Sequence, residues 1–454
     1  MKKTVIRSLS IAALSASSLL AMTGCGVKGA VYEAGTPVKV GLICLHDKES
    51  TYDANFINAL DEAVANLGAS KVEYKQAWLK TGVDEDQACY DAAKELVKEG
   101  CNLIFADSFG HQDFMLQAAK EWPTVQFCHA TGTNAKNANL DNYHNAFASI
   151  YEGRYIAGLA AGARLAIDTY YVNNVNPGSF EGTKVGYVGA FPYAEVKSGY
   201  TSWFLGVRAG FASLYSEAEA KKITMDVQFT NSWYDPDAEA SAADSLIKGG
   251  AVLISQHADS MGAPGTCEKA KIPNVTYNVE TGVACPDTYL AYSRINWAPY
   301  YEAVVNAMFT GKAIEGENNH NWTGSLSTGS VEYNINWDNV LKNIPNETVK
   351  AAAKVTLEAK LALALAGLKD GTLKVFDTST FTLSAAEAQK AGATIDGNGH
   401  VTAYKADTDG DFAGDTQVIV NGTGSAPSFF NESYYCSAPY FDLNIEGINL
   451  PSNN

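Results

Sequence analysis

Along this chain, short unbroken apolar runs alternate with longer segments whose apolar residues return every three or four positions. The first kind has the length of a buried strand, the second the period of an amphipathic helix. Residues 38–45 (VKVGLICL) predict a strand, and 55–67 a helix that Gly68 stops. A strand follows at 72–78, then a helix at 84–99 with acids in its first turn, a lysine in its last and Gly100 as its stop. Strands at 101–106 and 125–129 flank a helix at 112–122 that Pro123 breaks. Strands and helices at this spacing predict a mostly parallel, doubly wound sheet.

The rhythm breaks at 145–165, NAFASIYEGRYIAGLAAGARL. An extended apolar segment around Phe147 and Ile150 passes through Glu152 and Gly153 into a helix rich in Ala157, Gly158, Ala160, Ala161 and Gly162. Small residues let one face of that helix lie close, as expected here against a sheet. This is the expected first crossing between two α/β lobes. Beyond it, strands are predicted at 184–188, 223–229, 252–256, 273–278 and 289–294, with helices at 199–215, 238–248, 266–271 and 299–309. Residues 318–336, rich in Asn, Thr, Ser and Gly, are expected to run back between lobes, and 348–368 form an Ala/Leu-rich helix. Turn signals without periodicity mark 380–433 as an insertion or lobe extension.

The 454 residues suffice for two or three domains, and a formal net charge of −17 makes nucleic acid and anionic membrane surfaces poor partners. Lys2, Lys3 and Arg7 precede an apolar run at 11–22, too short to span a bilayer but right for a signal-peptide core. That run ends in Thr23-Gly24-Cys25, which is similar to a bacterial lipobox. The expectation is a signal peptide (1–24), lipidation at Cys25 and a tether (25–37), giving an extracytoplasmic protein held at the cell membrane by lipid alone. The other seven cysteines are odd in number and include no CxxC pair, so they suit small buried hydrophobes better than disulfides or a zinc site.

In an open α/β sheet, ligands bind beyond the carboxyl ends of the strands. That rule selects His46, Asp47 and Asp53; Asp107, Phe109, His111 and Asp113; Phe191 and Tyr193; Trp233 and Asp235; His257, Asp259 and Gly262; and Glu280. Aromatics and carboxylates recur there, as suits an aromatic clamp on a flat or sugar-faced ligand whose hydroxyl or amino groups the acids accept. The competing role for each Asp is to cap the next helix.

The stretch FASIYEGRYIAGLAAG resembles the corresponding stretch of the basic membrane protein (BMP) family, substrate-binding lipoproteins of ABC importers, many of which bind purine nucleosides. Its first-loop motif, D-x-G-G-x-x-D-x-S-F-N, places its acids and Phe on Asp47, Asp53 and Phe56. The chain has Glu49 and Ser50 for the glycines, Asn55 for Ser and Ile57 for Asn. SFGHQDFMLQAAKEWP is similar to the family's aromatic-Gly loop and puts Phe109, Gly110 and Asp113 at the cleft. VGAFPYAEV marks the loop before a helix whose aromatic faces ligand, with Phe191, Trp203 and Phe204 as candidates. NSWYDPDA and SQHADSMGAP bring in Trp233, Asp259 and Gly262, and Asn278 and Arg294 fall at polar positions of the family. The resemblance covers roughly 38–340 plus the tail SAPYFDLNIEGI.

The resemblance implies a type I periplasmic-binding-protein fold, two doubly wound α/β lobes joined by crossing hinge strands. The N-terminal lobe is expected at 38–146 and 281–325, the C-terminal lobe at 147–280 and 326–379, with an insertion and tail at 380–454. Phe56, Phe109 and one aromatic from 191–204 would stack on a base; Asp47, Asp113 and Asp259 would accept hydrogen bonds, and Arg294 would offset their charge. The implied protein is a monomer that captures a small neutral solute, a nucleoside, for an ABC permease and ATPase. A sensor lipoprotein without a transporter and a nucleoside hydrolase are the alternatives.

No Walker A loop, GxSxG or HExxH is present, so enzymatic turnover and a bound cofactor are not expected. Asp407, Asp409 and Asp411 alternate as in a calcium loop, but Phe412 and Val418 stand where the EF-hand pattern needs Gly and Glu. A solvated acidic turn and no metal are expected there.

Overall fold

The computed structural model describes residues 34–314 and 320–451, so the expected signal peptide and Cys25 lie outside the described residues. Two seven-stranded sheets organise the chain. In the first, the order is Asn321–Gly324, Tyr143–Ala148, Gln126–Ala130, Leu103–Ala106, Val38–Ile43 and Val72–Glu73, with Leu79–Lys80 also paired to Val38–Ile43. In the second it is Val331–Ile335, Tyr289–Ile295, Asn274–Tyr277, Ala251–His257, Thr183–Gly189, Ile223–Phe229 and Ile448–Asn449. Every pairing in both sheets is parallel except that of Val331–Ile335 with Tyr289–Ile295. Strand Leu103–Ala106 is buried throughout, which is why it reads as an unbroken apolar run, and Gln126–Ala130 is buried throughout as well despite its Gln and His.

The chain passes between the sheets after Ala148, after Ile295 and after Gly324, giving a type I periplasmic-binding architecture. Strand Tyr289–Ile295 belongs to the second sheet, although the sequence reading places 281–325 in the first lobe. Only the following helix, Ala298–Phe309, returns to the first lobe, where Trp297 stacks on Phe56. Only Asn296 and Trp297 separate that strand from the helix, so the switch falls where the apolar character hardly breaks.

Helix Ile150–Ile167 is almost wholly buried. Its small residues meet helix Ala194–Phe211 rather than a sheet. A Cβ on Gly158 would lie 2.3 Å from the Trp203 carbonyl oxygen, and one on Gly162 2.1 Å from that of Val207. The two helices therefore approach backbone to backbone, and any side chain at either position would separate them. The same helix fastens the crossings. Glu152 accepts a hydrogen bond from the Leu326 amide at 2.8 Å, and Gly153 abuts Val331 and Ser293.

Residues 380–433 form short antiparallel hairpins, including Lys405–Ala406 with Thr416–Gln417 and Ile419–Val420 with Phe429–Phe430. The tail then adds Ile448–Asn449 as a parallel edge strand beside Ile223–Phe229. Cys44, Cys89, Cys101, Cys128, Cys267, Cys285 and Cys436 are all buried, and no disulfide joins any two of them.

Candidate functional site

Where the carboxyl ends of the two sheets face each other, a narrow cleft holds about 400 Å³ of empty space. Leu45, His46, Tyr52, Asp53, Ser108, Phe109 and Thr131 line it from the first lobe; Glu195, Trp233, His257, Asp259 and Tyr277 line it from the second. The lobes touch across it. The Thr51 amide donates to the Asp259 carbonyl at 2.9 Å, and His46 packs on Tyr234 with ring centroids 5.5 Å apart.

The first wall is organised by the start of helix Thr51–Leu67. Ser50 caps it, accepting from the Asp53 amide, and thereby turns the Asp53 carboxylate back toward the preceding loop. There Asp53 accepts from the His46 amide at 2.8 Å and from the Ser50 hydroxyl at 2.5 Å, with the His46 ring nitrogen 3.4 Å away. Burial alone would raise this carboxyl, but the hydrogen bonds from His46 and Ser50 outweigh it and hold Asp53 below the usual carboxylate range. Behind it Asp107 is fully buried, and burial together with the Asp53 charge pushes it well above that range.

The second wall carries Asp259 at the end of strand Ala251–His257. Its Oδ1 accepts from Asn278 at 3.3 Å, and its amide donates to the Trp233 carbonyl at 2.9 Å. Burial, reinforced by the charges of Asp53, Glu239 and Glu195, pushes Asp259 well above the usual range against the pull of Arg154. Beside it, His257 faces Glu195 at 3.2 Å. Burial and the Arg154 charge lower that imidazole to about 4, against Glu195. An aromatic series closes the mouth: Phe109 lies 5.7 Å from Tyr193, Tyr193 stacks on Phe191 at 5.2 Å, and Phe191 meets Trp233 edge-on at 5.1 Å. The cleft thus offers ring faces, one charged acceptor and one carboxyl held neutral, which can donate as well as accept.

Of the residues singled out from sequence, Asp53, Phe109, Trp233 and Asp259 line this cleft, Phe191 stands at its mouth and Asn278 supports Asp259 from behind. Others do not reach it. Asp47 is exposed and accepts from the Glu49 amide, closing the loop before the helix. Asp113 is exposed in the first helical turn, with Asn134 at 3.4 Å. Phe56 is buried in the first lobe's core between Trp297 and Tyr52. Trp203 is buried in the second lobe's core near Tyr187. Gly110 donates to Glu85 at 2.7 Å. Gly262 is a packing contact, because a Cβ there would lie 2.1 Å from the Pro236 carbonyl oxygen. Arg294 pairs with Glu332 on the neighbouring strand, with N–O distances of 2.8 and 2.6 Å. Asp235 caps helix Pro236–Lys248. Asp407 accepts amides of Asp409, Gly410 and Phe412 within its own turn.

The family model described as "ABC transporter substrate-binding protein PnrA-like" matches residues 41–362. A purine-binding protein of Brucella abortus is 32% identical over 286 residues, 62% of this chain and 72% of that one. A putative ABC transporter glucose-binding protein of Haloferax volcanii is 28% identical over 267 residues, 58% of this chain and 59% of that one. Among solved structures, an ABC transporter solute-binding protein of Aeropyrum pernix shares the fold, with a TM-score of 0.57 at 14% identity over 78% of this chain and 98% of that one. No helix among the described residues is long and apolar enough to cross a membrane. With the family model spanning most of its length, this chain belongs to the Bmp family of extracytoplasmic ABC transporter substrate-binding proteins, which bind small solutes rather than transform them and interact with permease subunits.

Proposed function

We propose that the cleft captures a flat, uncharged solute, a purine nucleoside, and that the lobes close over it by hinge motion. The observation that carries this reading is the pairing of Phe109 and Trp233, from opposite lobes, around a cleft that also holds Asp53 and Asp259. Two rings and two carboxyl groups match a heterocycle with amino or imino donors. The charged Asp53 disfavours phosphorylated ligands by like-charge repulsion. The name of the Brucella relative supports a purine, and that of the Haloferax relative keeps a sugar as the competing solute.

A thermal-shift panel of adenosine, guanosine, inosine, the free bases, ribose, glucose and AMP tests this. At a hundred times its Kd, a binder adds about 2.7 kcal/mol of stability. Upward shifts with nucleosides and none with AMP are expected. A response to glucose alone would replace the ligand class, and a flat response to every nucleoside would remove it. The sequence ending at Cys25 supports lipid attachment there. Cys25→Ala should release the protein from the cell membrane, and unchanged membrane retention would refute the anchor.

A further inference from the structure

Arg154 sits on helix Ile150–Ile167, the first crossing, yet its side chain reaches under the second wall of the cleft. It is one of the largest fully buried side chains. Its guanidinium lies flat over Tyr277, 3.6 Å from the ring centroid, and Nη1 donates to the Gln256 carbonyl at 2.7 Å. Among the described residues no carboxylate pairs with this charge directly, and the buried Tyr187 hydroxyl lies beside it. A buried cation of this kind is costly unless something near it benefits from the field. What lies near is the wall itself: Tyr277 lines the cleft, Gln256 precedes His257, and Asp259 follows two residues later.

We propose that Arg154 is a positioning residue for solute recognition, clamping Tyr277 by its face and the Gln256 carbonyl by a hydrogen bond so that His257 and Asp259 are presented in one fixed arrangement. This rests on the reading that the cleft is the solute site. Because the same helix holds the Leu326 and Val331 crossings through Glu152 and Gly153, the clamp ties the wall's geometry to the hinge. The guanidinium also opposes a second positive charge on His257. That imidazole is faced by Glu195 from helix Ala194–Phe211, by Arg154 from the crossing helix, by Tyr277 from the next strand at 4.8 Å and by Asp259 on its own loop. Gly199 comes so close that a Cβ there would lie 2.9 Å from His257 Nδ1, leaving the ring no room to turn. With Arg154 in place, His257 stays neutral through mildly acid pH and meets Glu195 as a neutral hydrogen-bond donor.

The test compares wild type with Arg154→Met and Arg154→Lys, using the tightest nucleoside of the panel as probe and imidazole NMR of His257, assigned with His257→Gln. Arg154→Met should weaken binding about tenfold or more, the worth of a desolvated cation–ring contact. It should also move the His257 titration upward from about 4, burial still holding it below the ordinary imidazole value, so that affinity falls with acid where wild type stays level. Arg154→Lys keeps the charge but not the planar stack, so it should restore the level pH profile while recovering affinity only partly. Unchanged affinity and an unmoved His257 titration in Arg154→Met would overturn the proposal. Should that variant not fold, Arg154→Gln removes the charge while keeping a donor for the Gln256 carbonyl and is read in the same way. If no nucleoside binds wild type, the solute class has failed, while the His257 titration of unliganded protein still decides the role of Arg154.

Discussion

Each wall of the cleft carries a buried aspartate, and the two walls treat the same chemical group in opposite ways. Asp53 stands at a helix start, where a capping serine and His46 supply donors, and it is held charged. Asp259 stands at a strand end, where Asn278 supplies one long hydrogen bond and the neighbouring acids repel a charge, and it is held neutral. Donor count decides between them, since both are almost equally removed from water. A cleft built this way presents a fixed acceptor on one side and a group able to donate on the other. It therefore selects the orientation of a heterocycle as well as its shape.

The largest expected effect comes from exchanging the two. Asp53→Asn sets an amide N–H2 against donors already aimed at that site, at a cost of about 2–4 kcal/mol, or roughly 30- to 1000-fold in solute affinity. Asp259→Asn replaces a neutral carboxyl by a group of the same shape that can still accept from Asn278, and affinity should stay within about threefold. Isothermal titration with the best nucleoside of the panel measures both. Equal losses would mean that the walls are not different in kind.

Next come the rings. Trp233→Ala or Phe109→Ala should each weaken binding by about 1–3 kcal/mol, the range for one base stacked on one aromatic side chain. Phe56→Leu should leave affinity unchanged and lower stability by about 1 kcal/mol, since that ring packs on Trp297 and Tyr52 instead. A Phe56→Leu variant that bound tenfold more weakly would return Phe56 to the site.

That contrast shows what could be read in advance. The strand–helix rhythm, the crossing at 145–165 and the placing of Phe109, Trp233 and Asp259 at strand ends were legible, because buried parallel strands are continuous apolar runs and ligands gather at their carboxyl ends. Whether an aromatic near that edge faces the cleft or the core was not. Phe56 and Trp203 turn inward on helices whose other faces are polar or packed, and a motif fixes position along the chain but not rotation. Element boundaries hid the rest. With the first helix read from 55, Tyr52 fell in a loop; with the helix after Tyr193 read from 199, Glu195 did too. Tyr277 was counted inside its strand when it is the strand's last residue. Asp47 followed the competing rule, that an Asp before a helix satisfies backbone amides first, whereas Asp113 stands exposed in the first helical turn and accepts from the Asn134 side chain.

The smallest effect is also the sharpest test of the two walls, because it predicts opposite signs. A carboxyl whose folded pKa is raised destabilises the fold increasingly as pH rises from the unfolded value toward the folded one. Asp259→Asn removes that group, so its Tm relative to wild type should climb as pH rises above the ordinary carboxylate range, by about 2 °C or more. A carboxyl whose folded pKa is lowered contributes stability that is present above the unfolded value and lost as pH falls through the folded one. Asp53→Asn should therefore show its full deficit at neutral pH and recover toward wild type only in acid, below the ordinary carboxylate range. Two curves of opposite slope would establish that helix-start donors and strand-end repulsion set the states of these acids. Parallel curves would place both carboxyls in the same state and remove the donor–acceptor asymmetry from the cleft.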